Sequence, residues 1–174
     1  MNYAEIKNCD IANGPGVRVT LFVSGCTHHC EGCFNQETWD FQFGQPFTQI
    51  TQQEILKNLA PDYIAGLTLL GGEPLEYSNW KSLLPFVREV KKEFPGKTIW
   101  CYTGYLFDKD IVERFCVTWK EMEELLSYLD VIVDGEFILS QKDISLRFRG
   151  STNQRIIAVQ ESLIQGKIIY WDEA

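Results

Sequence analysis

At 174 residues, 45% hydrophobic and 23% charged, the chain has the size and composition of one globular domain, residues 1–174, with a real core. A net charge of −8 and a pI near 4.8 exclude a general phosphate-backbone binder, which needs a basic stripe. Six cysteines are too few for a disulfide scaffold, the start M-N-Y-A-E-I-K-N-C-D has no apolar signal core, and no apolar run is long enough to cross a bilayer. The expected compartment is therefore the cytoplasm, with no membrane or nucleic-acid partner, where clustered cysteines point to metal or catalysis.

In chain order, Tyr3 to Ile11 reads as a short edge strand and Asn13-Gly14-Pro15-Gly16 as a turn. Val17 to Val23 is β-branched and aromatic, a strand, and a cysteine loop follows it directly. Thr51-Gln52-Gln53-Glu54 has the form of a capping box, with Ile55, Leu56 and Leu59 continuing a helical stripe that Pro61 stops. Ile64 to Leu70 is a second strand, ended by Gly71-Gly72-Glu73-Pro74. Asn79 to Phe94 is an amphipathic helix closed by Pro95-Gly96. Lys97 to Tyr102 is a third strand, followed by Thr103-Gly104-Tyr105. Thr118 to Glu121 reads as a second capping box for a helix through Tyr128. Asp130 to Val133 is a fourth strand, followed by Asp134-Gly135-Glu136. Arg155 to Val159 and Lys167 to Trp171 read as final strands.

Alternating strands and helices imply βαβ units and a mostly parallel sheet, an α/β fold. In such sheets function collects where strands end. The cysteine loop, G-G-E-P, T-G-Y and D-G-E each follow a strand, so four separate stretches converge on one rim.

Ser24 to Asp40 holds Cys26, Cys30 and Cys33 as C-x3-C-x2-C, with His28 and His29 between the first two. Three thiolates this close suit either of two objects. A [4Fe–4S] cluster normally takes four thiolates, so three leave one iron open to a small molecule with nitrogen and oxygen donors. Zinc with three cysteines and one of the histidines is the alternative. Spacing alone does not decide. The missing second ligand pair, with Cys101 and Cys116 unpaired and no further histidine, favours the cluster. His28 and His29 read as exposed loop residues, and Cys9, Cys101 and Cys116 as small buried ones. Trp39, Trp80, Trp100 and Phe22 read as core. In Gly71-Gly72-Glu73 the glycines permit close backbone approach and Glu73 suits an ammonium group or a loop contact. Thr103, Gly104 and Asp134 are weaker candidates, better suited to turns when the shared rim is left aside.

C-x3-C-x2-C after one strand with G-G-E-P after the next resembles the radical S-adenosylmethionine superfamily. N-G-P-G-V-R-V-T-L-F-V-S-G-C-T-H-H-C-E-G-C-F-N-Q-E-T-W, Y-T-G-Y, D-V-I-V-D-G-E-F and R-F-R-G-S-T-N-Q-R-I-I are similar, in that order, to the activating enzymes of anaerobic ribonucleoside-triphosphate reductase. The resemblance implies a partial (β/α) barrel, since a full one takes about 250 residues. It implies an oxidoreductase in which Cys26, Cys30 and Cys33 hold one [4Fe–4S] cluster whose open iron takes S-adenosylmethionine. A flavodoxin- or ferredoxin-like donor supplies one electron. Cleavage gives methionine and a 5′-deoxyadenosyl radical, which takes hydrogen from a glycine of the reductase. By the same resemblance Gly71, Gly72 and Glu73 meet the methionyl amino group, Gly32, Cys33 and Phe34 border the nucleoside, and Thr103, Gly104 and Asp134 are further contacts. Many superfamily members have an aromatic residue just before the third cysteine; here that position is Gly32, and Phe34 follows instead. Activation of another glycyl radical enzyme, and a non-catalytic zinc-binding module, are the competing readings.

Overall fold

The structure, a computed structural model, describes residues 1–172. Seven strands form one open sheet in the order β3-β1-β2-β4-β5-β6-β7. They are β1 (Asn2–Asp10), β2 (Val17–Val23), β3 (Gln45–Pro46), β4 (Ile64–Gly71), β5 (Thr98–Tyr102), β6 (Val131–Asp134) and β7 (Arg155–Ala158). The central four, β2, β4, β5 and β6, are parallel, whereas β1, β3 and β7 pair antiparallel at the edges. The expected mostly parallel sheet is thus parallel only at its centre, because β1 and β7 enter beside a neighbour rather than by a helical crossover.

Side-chain alternation along the central strands sorts two faces. Val19, Leu21, Val23, Leu67, Leu69, Ile99, Cys101 and Ile132 join one large core. That core is completed by α1 (Gln49–Leu59), α2 (Tyr77–Glu93), a π-helix at Phe107–Phe115 running into α3 (Cys116–Thr118), and α4 (Lys120–Tyr128). The intervening residues face the other way and are mixed: Arg18, Thr20 and Thr68 are buried polar groups, while Trp100, Val131 and Val133 pack with Phe148 and Trp171. A sheet with one oily face under helices and one mixed face has a side free for function. No helix among the described residues is long and apolar enough to cross a membrane.

Arg18 shows how the mixed face is stabilised. Its guanidinium is fully buried and donates to Thr68 Oγ1 at 2.8 Å, Leu67 O at 2.8 Å, Thr98 Oγ1 at 3.0 Å and Thr98 O at 2.9 Å. Burial pulls its pKa down to about 10. It ties β2, β4 and β5 together through neutral acceptors.

Several local expectations shift. The helix after residue 48 is capped by Thr48, not Thr51: Thr51 N–H donates to Thr48 Oγ1 at 3.4 Å, and Thr48 N–H donates to Thr51 Oγ1 at 3.3 Å. The second expected capping box is absent, because Thr118 donates its hydroxyl back to Arg114 O at 2.8 Å and Trp119 precedes α4. The last strand stops at Ala158, and α5 (Val159–Gln165) follows; Lys167 to Trp171 contributes only an isolated bridge, Ile157 to Tyr170. Cys9 is exposed and Cys116 half-buried; only Cys101 of that trio is buried.

Candidate functional site at the strand ends

The parallel register puts the ends of β2, β4, β5 and β6 on one edge: Val23 opposite Gly71, and Tyr102 opposite Val133. The four expected loops therefore do share a rim. Main-chain bonds join the first two. Gly72 N–H donates to Val23 O at 2.7 Å, and Glu73 N–H to Gly25 O at 2.9 Å. Buried Asn79 donates its amide to Ser24 O at 3.0 Å and Glu73 O at 2.9 Å, holding both loops against α2. Contact this close explains the glycines. Gly71 has φ +105°, and a Cβ on Gly72 would lie 2.7 Å from Gly25 O and 2.8 Å from Thr38 O. The pair gives the cysteine loop room to dock.

A cavity of about 530 Å³ opens on this edge and runs onto the mixed face. Cys26, Cys30 and Cys33 all line it, as do Gly71, Gly72 and Glu73. Phe34, Thr103 and Gly104 line it as well. Two expected contacts do not. Gly32 turns at φ +71°, and a Cβ there would lie 2.8 Å from Leu139 Cδ1. Asp134 is fully buried behind the wall: its carboxylate accepts from Phe107 N–H at 2.8 Å and from Arg155 at 2.9 and 2.5 Å. It anchors β6 to β7 and to the π-helix, and its neighbours Gly135 and Glu136 line the cavity in its place. Phe22 and Trp39, expected in the core, line the cavity too.

The thiols differ in setting. Burial pushes Cys26 up to about 12, the negative charge of Glu73 adds to this, and the backbone amides of His28 and His29 pull the other way. Burial likewise raises Cys30, with Glu136 contributing. Asn35 N–H donates to Cys33 Sγ at 3.4 Å. Among the described residues, no three His, Cys, Asp or Glu side chains gather round a single metal ion. A polynuclear cluster sets its thiolates farther apart, because each bonds a different iron.

His28 is not an exposed loop residue. Its side chain is 10% exposed, and its ring bridges two carboxylates, with Nε2 at 3.0 Å from Glu73 Oε2 and Nδ1 at 2.9 Å from Glu136 Oε1. Burial would lower the imidazole pKa, and the two carboxylates overcome it and push the value up to about 9. His29 does lie exposed, its ring 4.7 Å from Trp39. With both His28 nitrogens engaged, neither is free to complete a zinc site, and His29 is the imidazole left to that alternative.

The donor set fits a cluster with a small organic ligand. Three cysteines face one cavity large enough for both. Two residues that line it, Tyr102 and Trp39, each carry a buried donor, the hydroxyl and Nε1, with no hydrogen-bond partner among the described residues. Orphan donors of this kind are costly unless something accepts from them. Sequence reasoning offers His28 only as a zinc ligand or an exposed loop residue and gives Glu136, Tyr102 and Trp39 no place at the site; only their positions in or beside the four loops signal them.

A sequence profile described as a 4Fe-4S single cluster domain matches residues 12–157. The anaerobic ribonucleoside-triphosphate reductase-activating protein of Haemophilus influenzae is 47% identical over 158 residues, covering 90% of this chain and 97% of its own. The protein of that name from Enterobacteria phage T4 is 46% identical, covering 90% and 93%. That from Escherichia coli is 42% identical over 156 residues, covering 88% and 96%. The chain belongs to this family of activating proteins. Within the family frame, the profile match spans every loop of the rim, from the Asn13 turn to β7, so the cluster domain and the cavity are one region of the chain.

Proposed function

We propose that the chain is a radical S-adenosylmethionine enzyme that activates anaerobic ribonucleoside-triphosphate reductase by generating a glycyl radical on it. Its family membership and the 4Fe-4S profile support the activity and the iron–sulfur cofactor. One observation carries the site: three cysteines and the G-G-E turn line a single cavity at the ends of parallel strands.

In this reading Cys26, Cys30 and Cys33 hold the cluster, and each thiol gives up its proton to do so. When bound, a [4Fe–4S] cluster supplies one-electron reductive cleavage of S-adenosylmethionine to methionine and a 5′-deoxyadenosyl radical. The protein binds and orients. Gly71 and Gly72 offer close backbone approach, Glu73 faces the methionyl ammonium, and Thr103, Gly104 and Phe34 complete the lining. Gly32 acts through the turn that presents Cys33 and Phe34. The cluster and ligand sit on the mixed face, while the oily face stays sealed by helices. We read the open sheet as a partial (β/α) barrel acting as one domain in the cytoplasm. Its uncovered side admits a protein substrate, and a flavodoxin- or ferredoxin-like protein supplies the electron.

Anaerobic reconstitution tests the site. Wild type binds about four irons per chain and cleaves S-adenosylmethionine with a strong reductant, whereas Cys30→Ala does not. Cleavage that survives Cys30→Ala places the chemistry elsewhere.

A further inference from the structure

His28 sits where three rim loops meet. It belongs to the cysteine loop, reaches Glu73 of the G-G-E turn through Nε2, and reaches Glu136 of the D-G-E turn through Nδ1. The ring is gripped on its other sides. Tyr105 packs edge-on with centroids 4.5 Å apart, and a Cβ on Gly104 would lie 2.7 Å from the ring, so only glycine admits it there.

Glu73 is 1% exposed, and protein donors take most of its carboxylate. Oε1 accepts Leu75 N–H at 2.8 Å. Oε2 accepts Gly104 N–H at 2.8 Å and faces His28 Nε2 at 3.0 Å. A carboxylate offers about four acceptor positions. With three filled, the remaining one lies on Oε1, and His28 is the side chain that fixes this.

Glu136 is itself placed by the G-S-T-N-Q-R segment. Asn153 donates to Glu136 O at 2.9 Å, and Gln154 donates to Gly135 O at 3.0 Å while its Oε1 accepts Gly150 N–H at 2.9 Å. That motif, singled out in the sequence without a role, clamps the D-G-E turn and so sets the far end of the bridge.

We propose that His28 is a positioning residue for S-adenosylmethionine: through Nε2 it holds the Glu73 carboxylate so that one oxygen is left for the ligand's ammonium group. The inference rests on the proposed function, in which Glu73 meets that ammonium. The Glu136 contact aims the ring and is secondary.

Two near-isosteres separate the two nitrogens. The Gln amide nitrogen reaches the place of Nε2, and the Asn amide nitrogen that of Nδ1. His28→Gln therefore keeps the Glu73 contact and loses Glu136, while His28→Asn does the reverse. Each protein is reconstituted anaerobically, and iron per chain, melting temperature and S-adenosylmethionine affinity by equilibrium dialysis are measured. The paramagnetic resonance spectrum of the reduced cluster is recorded with and without the ligand.

The expected result is iron content at the wild-type level throughout. His28→Gln binds within about threefold of wild type, and His28→Asn and His28→Ala bind about tenfold or more weakly, the size of one charged hydrogen bond. The ligand-induced spectral change persists in the Gln variant and fades in the Asn variant at equal ligand concentration. Glu136→Ala, which loses the same contact as His28→Gln without touching the cysteine loop, matches it. Equal affinity of the Gln and Asn variants, or a tenfold loss in Glu136→Ala, overturns the inference. A wild-type protein whose cluster spectrum ignores S-adenosylmethionine overturns the underlying reading instead.

Discussion

Gly72→Ala isolates the contact on which the rim depends. The added methyl would lie 2.7 Å from Gly25 O and 2.8 Å from Thr38 O, both rigid backbone atoms. To reach ordinary contact those oxygens must retreat by about 0.6–0.7 Å. Gly25 O accepts Glu73 N–H at 2.9 Å, and Thr38 O accepts Gly25 N–H at 2.7 Å. A retreat of that size carries the first bond past hydrogen-bond range and stretches the second. Losing or weakening these buried bonds costs about 2–4 kcal/mol, and the stiffer unfolded chain returns less than about 1 kcal/mol. For a chain of this length the net loss of about 1–3 kcal/mol is a fall in melting temperature of about 2–12 °C. Thermal unfolding of the cluster-free protein, followed by circular dichroism, is the assay. Cluster-free protein is the informative form, because a glycine that only made room for a ligand would leave its stability unchanged. A Gly72→Ala melting temperature within about 1 °C of wild type refutes the docking argument.

Further predictions concern the buried polar groups. Arg155→Met leaves the Asp134 carboxylate fully buried without its cation and destabilises by about 3–5 kcal/mol, measured by urea unfolding; Arg155→Met combined with Asp134→Asn recovers part of that loss. Burial raises the Asp10 pKa, but hydrogen bonds from Thr20, Asn13 and the Ala12 amide overcome it and leave the carboxyl below its ordinary 3.8. A depressed carboxyl contributes stability that is present above about pH 4 and lost as pH falls through its folded value, so Asp10→Asn flattens the acid limb of the stability curve. An unchanged acid slope in that variant contradicts the assignment. Tyr102→Phe removes an orphan hydroxyl, so the cluster-free protein melts no lower than wild type while S-adenosylmethionine affinity falls. Cys101→Ala and Cys116→Ala keep the full iron content, since neither residue lines the cavity.

The central strands were legible because each is a short β-branched or aromatic run closed by glycine or a polar turn, and their parallel pairing followed from the helices between them. Those two signals are enough to bring the four loops to one rim. What stayed hidden was pairwise. Phe107, Ile111 and Phe115 carry a four-residue spacing, yet the wider π turn and its anchorage through Phe107 N–H to Asp134 depend on a residue 27 positions away. Asp134 reads as a rim contact because it ends a strand; Arg155, on an antiparallel neighbour, and the Phe107 N–H hold it inward. His28 read as a loop histidine because its two carboxylates lie 45 and 108 positions on. The Thr51 box was misplaced by one turn because Thr48 and Thr51 both satisfy the local pattern, and the register of the helix entrance chooses between them. Short-range patterns find elements, while the partner of a buried polar group is set by the packed sheet.

The activity proposed for this cavity is the generation of a radical on a protein partner. Anaerobic mixing of the reconstituted enzyme with its cognate ribonucleoside-triphosphate reductase, S-adenosylmethionine and a reductant, read by electron paramagnetic resonance, tests it most directly. The expected result is a glycyl radical on the reductase that requires S-adenosylmethionine and is lost in Cys30→Ala. A cluster-loaded, ligand-binding enzyme that leaves the reductase without a radical contradicts it.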